Sequence, residues 1–301
     1  MGKTKKISVL TSLYNCENFL RAYFHALAGM EGTELIEVLL LHNAPQKKEL
    51  DIISEYLPTF DFVRHIIIPE RESLYRTWNK GIGLSEGEYV TVWNVDDVRF
   101  PGSILRQAEA LDKNPQAAIA YGDIWVSRQY GVRGTNKTNS PVDNRFTHKQ
   151  FFSQYHISCF QMWRKSIHQT IAYYDEQFKC VGDFDFQIRA ALYFPFVKTN
   201  EPLGIYLEDQ PHKLSANGLQ LLEYNLICLR YANYRSMNFF LLPGAKKKYQ
   251  PKRILIYDEW LDFSEKSPFG LIYNIPGFVY AAFNSIYWLV RQTVKRIIKY
   301  K

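Results

Sequence analysis

The sequence predicts an α/β chain built on a mostly parallel sheet, and three observations predict it. Strand-like runs alternate with helix-like runs through the first half. The strand runs are rich in Val, Ile, Leu and Thr, the composition of buried strands. The fourth of them, Tyr89-Val90-Thr91-Val92-Trp93, ends abruptly in a pair of carboxylates, Asp96 and Asp97. The carboxyl ends of strands are where open α/β sheets bind ligands. At 301 residues the chain can bury a sizeable core, as one large domain or one domain with appendages.

Each element follows from its pattern. Ile7–Leu13 reads as a strand, and residues 17–29 read as a helix with Phe19, Leu20, Tyr23, Phe24 and Leu27 at helical spacing. Residues 37–41 form a second strand and 47–57 a helix; Val63–Ile68 is a third strand, 74–85 a helix and 89–93 the fourth strand. This rhythm implies a parallel sheet with helices on both faces. Residues 131–143 are rich in Gly, Asn, Thr and Ser and read as a loop, either an acceptor-side lid or a plain surface excursion, before a strand over 157–164. A helix is expected over 218–234, with Leu219, Leu222, Leu226 and Leu229 in phase.

Two adjacent carboxylates at a buried strand end repel each other and cost desolvation unless a cation or hydroxyl satisfies them. A divalent metal carrying a diphosphate is the natural partner, since hard cations prefer oxygen ligands. A solvated Asp-Asp turn closing the strand is the alternative.

The surrounding residues carry a resemblance. The run from Leu74 to Pro101 resembles the signature of glycosyltransferase family 2: Asn79, Gly81, Ile82, Gly87, Glu88, Tyr89, Asn94, Asp96, Asp97 and Pro101 match in register, and Ser85 stands where the family usually has Ala. The first strand, ending in Tyr14-Asn15, resembles the family's first strand and loop. Gly182-Asp183-Phe184-Asp185 through Arg189 resembles its Asp-x-Asp-x-x-x-Arg segment, and His212-Lys213-Leu214-Ser215 its His-x-x-Ser end. The resemblance covers roughly residues 6–216. It implies a GT-A (Rossmann-like) fold and inverting, nucleotide-sugar-dependent transfer with a divalent metal, Mn2+ or Mg2+. By register it makes Asp183 the catalytic base. Tyr14, Asn15, Asn43, Asn79 and Asp96 fall in the nucleotide-sugar site, with Asp96 on a ribose hydroxyl or a metal-bound water. The resemblance also implies Asp97 as the metal ligand, with His212 as a second metal or phosphate contact. One departure stands at the end of the second strand, where His42-Asn43 replaces an acidic pair that reads the nucleotide base; Asn43 is a common variant, whereas His42 puts the nucleotide's identity in doubt.

The residues themselves leave other roles open. Asp183 sits among Phe178, Val181, Phe184 and Phe186, an apolar setting that strengthens a carboxylate as a base. It is also a fitting N-cap for a helix over 184–192, with Asp185 supporting that helix. A lone His such as His212 serves structure as readily as it binds metal.

Charge is uneven. The chain carries a net +7, yet after Glu265 there are six basic residues and no acidic one, leaving a nearly neutral body. That argues against a nucleic-acid-binding body and for a local basic contact. Residues 267–290 carry no charge, but Pro276-Gly277 interrupts them. Taken as a helix from Gly277, the tail places Asn284, Arg291, Lys295 and Lys299 on one stripe, with Phe278, Ala282, Ile286, Leu289, Val290 and Val294 opposite. Such a helix suits the interfacial plane of a membrane better than a straight span; a helix packed on the domain is the alternative. Cys16, Cys159, Cys180 and Cys228 are too scattered for a zinc site or disulfide framework and fit reduced thiols in a cytosolic compartment. Met1 to Lys6 is basic, but the apolar stretch after it is too short and polar for a signal peptide.

The organisation expected is a catalytic domain over 1–216, a helical extension over 217–265 and a basic amphipathic, membrane-associating tail over 266–301. The function expected is a hexosyltransferase-type glycosyltransferase. It takes a nucleotide-sugar donor and a saccharide acceptor, lipid-linked, in bacterial-type cell-surface polysaccharide synthesis. It works as a peripheral or monotopic protein on the cytoplasmic face of the plasma membrane, with no nucleic-acid partner. Two rivals differ in kind. A nucleotidyltransferase needs a Gly-rich basic loop after the first strand, which Tyr14-Asn15-Cys16-Glu17 is not. A non-catalytic membrane-bound scaffold has no need of intact Asp96, Asp97 and Asp183.

Overall fold

The computed structural model describes residues 5–138, 157, 159–208, 218–231, 233, 237–238, 240, 253–263 and 271–299. Its strands are β1 (Ile7–Leu13), β2 (Ile36–Asn43), β3 (Val63–Ile68), β4 (Tyr89–Val92), β5 (Val98–Arg99), β6 (Ile119–Tyr121), β7 (Trp125–Ser127), β8 (Asn136–Lys137), β9 (Met162–Arg164), β10 (Phe196–Lys198), β11 (Gly204–Leu207), β12 (Arg253–Ile256) and β13 (Glu259–Asp262). The helices are α1 (Glu17–Ala28), α2 (Lys47–Tyr56), α3 (Leu74–Leu84), α4 (Ser103–Lys113), the short α5 (His168–Ile171), α6 (Gly182–Ala191), α7 (Leu219–Arg230) and α8 (Leu271–Lys299).

A seven-stranded sheet runs β10-β6-β9-β4-β1-β2-β3. All its pairings are parallel except those of β9, which lies antiparallel to both neighbours. The alternation of the pleat divides the core. Leu10, Leu39, Leu41, Val90 and Val92 face Trp78 and Ile82 of α3. Val9, Val38, Leu40 and Tyr89 face Tyr23, Phe24 and Leu27 of α1. Both faces are apolar because helices cover both.

The stretch from α3 into β4 shows what its signature residues do. Ser73 caps α3, its hydroxyl accepting from the Arg76 N–H at 3.3 Å. A Cβ on Gly81 would lie 2.6 Å from Leu41 Cδ1, so only glycine lets α3 lie this close to the sheet. A Cβ on Gly87 would meet the backbone N of Ser8 at 2.7 Å. The buried Glu37 carboxylate gathers the Ser8 hydroxyl (2.5 Å), the Glu86 N–H (2.6 Å) and Arg64 (3.1 Å), fastening the turn that launches β4.

A second sheet, β5-β11-β7-β8, stands beyond the end of β4. The expected strand over 157–164 is only Met162–Arg164, and part of the expected loop over 131–143 is β8, an edge strand on β7. The segment expected as a helical extension differs more. Helix α7 belongs to the main core, where Ile227 and Tyr231 pack with Tyr75, Phe178 and Phe184. It is followed by a β-hairpin, β12–β13, docked where Leu255 N–H meets Asp175 Oδ1 at 3.1 Å. The expected break at Pro276-Gly277 is absent, and α8 runs through both residues from Leu271. Ala281 and Ser285 of α8 are buried, while Tyr280, Phe283, Ile286, Tyr287, Trp288, Leu289, Val290 and Val294 are exposed. No helix among the described residues is long and apolar enough to cross a membrane.

Candidate active site

Three loops at the carboxyl ends of β1, β2 and β4 lie side by side, as the parallel register requires. From β1 come Tyr14 and Asn15. Tyr14 is 39% exposed, with the Arg71 guanidinium 4.1 Å from its ring centre. Asn15 takes a left-handed φ of 49° and accepts from Gln46 Nε2 at 2.6 Å. From β2 comes Asn43, whose amide gives to Thr77 Oγ1 (2.9 Å) and accepts from Glu72 N–H (3.0 Å), tying β2 to the start of α3.

His42 faces the other way. It is fully buried, with Nδ1 3.0 Å from His65 Nε2 and Nε2 3.2 Å from Glu49 Oε2. The departure at position 42 is thus a buried side chain spent on His65 and Glu49. Glu49 also takes the backbone N–H of Cys16 (2.6 Å) and of Gln46 (3.0 Å). Burial opposes its charge, but these donors together with His42 hold the Glu49 carboxyl below the usual range. The node locks the β1 and β2 loops together from beneath.

At β4 the two carboxylates part ways. Asp97 is 1% exposed; Oδ1 accepts the Leu207 N–H at 3.1 Å and Oδ2 lies 3.4 Å from Asn94 Nδ2. It thus joins the β4 turn to β11. Asp96 is half-buried. Tyr130 lies beside both: burial first, then Asp97 and Asp96, push its phenol up to about 12, and its buried hydroxyl has no hydrogen-bond partner among the described residues. The carboxylates of Asp96 and Asp97 and the unsatisfied Tyr130 phenol are oxygen donors, the chemistry a hard divalent cation takes. Among the described residues no group of three His, Cys, Asp or Glu side chains assembles into a metal site, and His212 lies outside them.

Behind the turn, Arg99 is fully buried and gives hydrogen bonds to Gln107 Oε1 (2.7 Å), Thr91 Oγ1 (2.5 Å) and the carbonyls of Val92 and Phe160. Burial lowers its pKa to about 9, which leaves it charged at neutral pH.

Asp183 stands in the first turn of α6, one residue inside its start, so it is not the cap; Val181 holds that position. Its Oδ1 accepts from Phe184 N–H (3.0 Å) and from the Tyr75 hydroxyl (3.4 Å). Tyr75 sits in the first turn of α3, which begins at the carboxyl end of β3, so Asp183 lies at the same end of the sheet as Asp96 and Asp97. Asn79 does not share that setting. It is buried and spends both ends of its amide on the Tyr174 backbone (2.9 Å) and Glu176 (2.9 Å), docking the segment that leads to α6. Nothing in the chain marks Tyr75 or Tyr130, because each stands among mixed polar neighbours, Leu74-Tyr75-Arg76 and Gln129-Tyr130-Gly131, with no motif around its hydroxyl.

The model of the family described as glycosyl transferase family 2 matches residues 8–171, more than half of the chain. The chain belongs to this family. The uncharacterized glycosyltransferase MJ1057 of Methanocaldococcus jannaschii is 24% identical over 188 residues, 61% of this family 2 chain and 63% of that protein. The putative glycosyltransferase EpsE of Bacillus subtilis is 24% identical over 135 residues, 44% and 48% of the two chains. The matches thus span less than two thirds of either relative. Among solved structures, residues 1–349 of S. aureus TarS in complex with UDP-GlcNAc have a TM-score of 0.62 at 16% identity, over 78% of this chain and 71% of that one. A mannosyltransferase of Pyrobaculum calidifontis, in complex with GDP-Man and Mn2+, has a TM-score of 0.58 at 9% identity, over 81% and 73%. Both share the GT-A fold with this family 2 chain, a large, mostly parallel sheet flanked by helices.

Proposed function

We propose that the protein is an inverting glycosyltransferase. It moves a sugar from a nucleoside diphosphate sugar to a hydroxyl of a saccharide acceptor, a lipid-linked one, on the cytoplasmic face of a membrane in the assembly of cell-surface polysaccharide. The observation that carries the reading is the juxtaposition of an Asp96–Asp97 pair and Asp183 at one end of the sheet in a family 2 chain. Neighbours solved with UDP-GlcNAc and with GDP-Man and Mn2+ support a nucleotide sugar as donor and a divalent cation as cofactor.

Tyr14 and Arg71 offer a flat, cationic face for the nucleobase, and Asn15 a polar edge beside it. Asp97 would hold the cation, with His212 as a second metal or phosphate contact and Asp96 on a ribose hydroxyl or a metal-bound water; the cation, when bound, would neutralise charge that develops on the departing diphosphate. Tyr75 and Phe184 N–H fix the plane of the Asp183 carboxylate. Asp183 takes the proton of the acceptor hydroxyl. The acceptor oxygen then forms its bond to the anomeric carbon as the bond to the diphosphate breaks on the opposite face, which inverts that carbon.

The tail supports a membrane surface as partner. Tyr280, Phe283, Ile286, Tyr287, Trp288, Leu289, Val290 and Val294 are exposed, the sequence after Glu265 has six basic residues and no acidic one, and each cation near an anionic surface contributes ~1 kcal/mol.

Thermal unfolding of the full chain with UDP-GlcNAc or GDP-Man, with and without Mn2+, tests the donor reading. A rise in Tm that requires Mn2+ is expected, since a ligand that binds only the folded state stabilises it. No rise with any nucleoside diphosphate sugar across a wider panel would overturn it.

A further inference from the structure

The residue after which the family match ends is 171, yet the helix bearing Asp183 is held by residues well beyond it. Glu223 of α7 is buried, and its carboxylate receives three consecutive backbone N–H groups: Lys179 at 2.8 Å, Cys180 at 2.8 Å and Val181 at 3.2 Å. These amides form the approach to α6, immediately before Asp183. Three successive N–H groups turned on one carboxylate make a charge-assisted anchor of a kind neutral acceptors do not match.

Two turns along the same face of α7 comes Arg230. One arm of its guanidinium meets Asp185 Oδ1 at 2.5 Å; the other meets Asp175 Oδ2 at 2.7 Å and the Arg253 carbonyl at 2.9 Å. Asp185 is fully buried and also accepts from Arg189 Nε (2.7 Å) and the Tyr231 hydroxyl (2.9 Å). Burial opposes its charge, but Arg230 and Arg189 hold the carboxyl below the usual range. Helix α7 therefore grips α6 with opposite charges on either side of Asp183: an anion on the backbone before it, a cation on the carboxylate two residues after it. A Cβ on Gly182 would lie 2.7 Å from the Tyr75 ring, so the start of α6 is also pressed against α3.

We infer that α7 is part of the catalytic apparatus, with Glu223 and Arg230 as positioning residues that set where the Asp183 carboxylate stands. This rests on Asp183 being the base.

The test is a double-mutant cycle on the full chain with Mn2+ and UDP-GlcNAc or GDP-Man as probes, following release of the nucleoside diphosphate. Glu223→Gln keeps the shape but loses the charge, and Arg230→Lys keeps the charge but loses one arm. Each is expected to lower kcat ~10-fold or more, the scale of a base displaced by a fraction of an ångström, while the donor KM stays within about twofold. Arg230→Met should lose more than Arg230→Lys. In an Asp183→Asn background Glu223→Gln should add no further loss, because residues acting as a unit are not additive. An equal loss in both backgrounds, or a loss confined to KM, overturns the inference. If Asp183→Asn itself leaves turnover intact, the base assignment has failed instead. Amide hydrogen exchange needs no substrate and tests the same anchor independently. Glu223→Gln should speed exchange at residues 179–181 and 184 at least ~10-fold with the remaining core amides unchanged, as for a local opening. Unchanged rates at those four positions, or a uniform rise across the chain, overturn the inference as well.

Discussion

Tyr75 and Asp183 stand 108 positions apart in the chain, yet the Tyr75 hydroxyl reaches Asp183 Oδ1 at 3.4 Å. Tyr75 is almost fully buried, and its phenol is pushed well above its ordinary value, by burial first and then by the Asp183 charge. It therefore remains a donor at neutral pH. Through this contact α3, packed flush on the sheet by Gly81, is tied to the start of α6.

Replacing Asp183 with Asn keeps this hydrogen bond and removes the proton acceptor. Transfer should fall by ~10²–10⁴, the usual worth of a general base. Donor affinity, read by titration calorimetry with a nucleoside diphosphate and Mn2+, should hardly change. Loss of the fold or of donor binding would show Asp183 to be a structural residue of α6.

Asp97→Ala should abolish both transfer and Mn2+-dependent binding of a nucleoside diphosphate. Because Asp97 also satisfies the buried Leu207 N–H, the variant should lose ~1–3 kcal/mol of stability in urea unfolding. Asp97→Asn keeps an acceptor for that amide and should recover most of the stability but not the binding. Undiminished Mn2+-dependent binding in either variant would remove Asp97 from the cation site.

Stability should fall in mild acid through His168. Trp163 Nε1 donates to its Nε2 at 2.9 Å, so its Nδ1 carries the proton given to the Ala172 carbonyl. Burial pushes the pKa of this neutral ring down to about 4. In the unfolded chain His titrates near ~6.5, so between those values only the unfolded state takes up the proton. The contribution is complete above pH ~6.5 and is lost as pH falls toward ~4, by up to ~3 kcal/mol. Urea midpoints at pH 7 and pH 5 read this directly. His168→Gln, which still accepts from Trp163 but does not titrate, should show a shallower fall; an identical pH dependence would assign the effect to other groups.

Truncation after Ser264 removes α8 with its exposed aromatic face and the basic residues beyond Glu265. The shortened protein should move from the membrane to the soluble fraction while keeping Mn2+-dependent donor hydrolysis, and transfer to a lipid-linked acceptor should suffer more than donor binding. Release of the full chain by carbonate supports surface attachment. A full-length protein that is monomeric and free of vesicles of anionic lipid would make α8 simply a terminal helix.

The main sheet is legible in the chain, because its first strands are consecutive, apolar on both faces and separated by helices whose period is plain. Asp96 and Asp97 stand out locally, as charges that follow an apolar run, whereas Asp183 is marked by the resemblance of its segment to the family's Asp-x-Asp-x-x-x-Arg pattern. Other relationships exist only in the folded molecule. Position 42 shows no sign in the chain that it turns inward to Glu49 rather than toward a ligand. Asn79 matches a signature, and only the fold reveals that its amide is spent on Tyr174 and Glu176. Glu223 and Arg230 look like ordinary charges on a helix until α6 lies against them. Periodicity records which side of an element is buried, a property of neighbours in the chain. Which polar group finds which partner depends on approach across a hundred residues, and that is fixed only when the core closes.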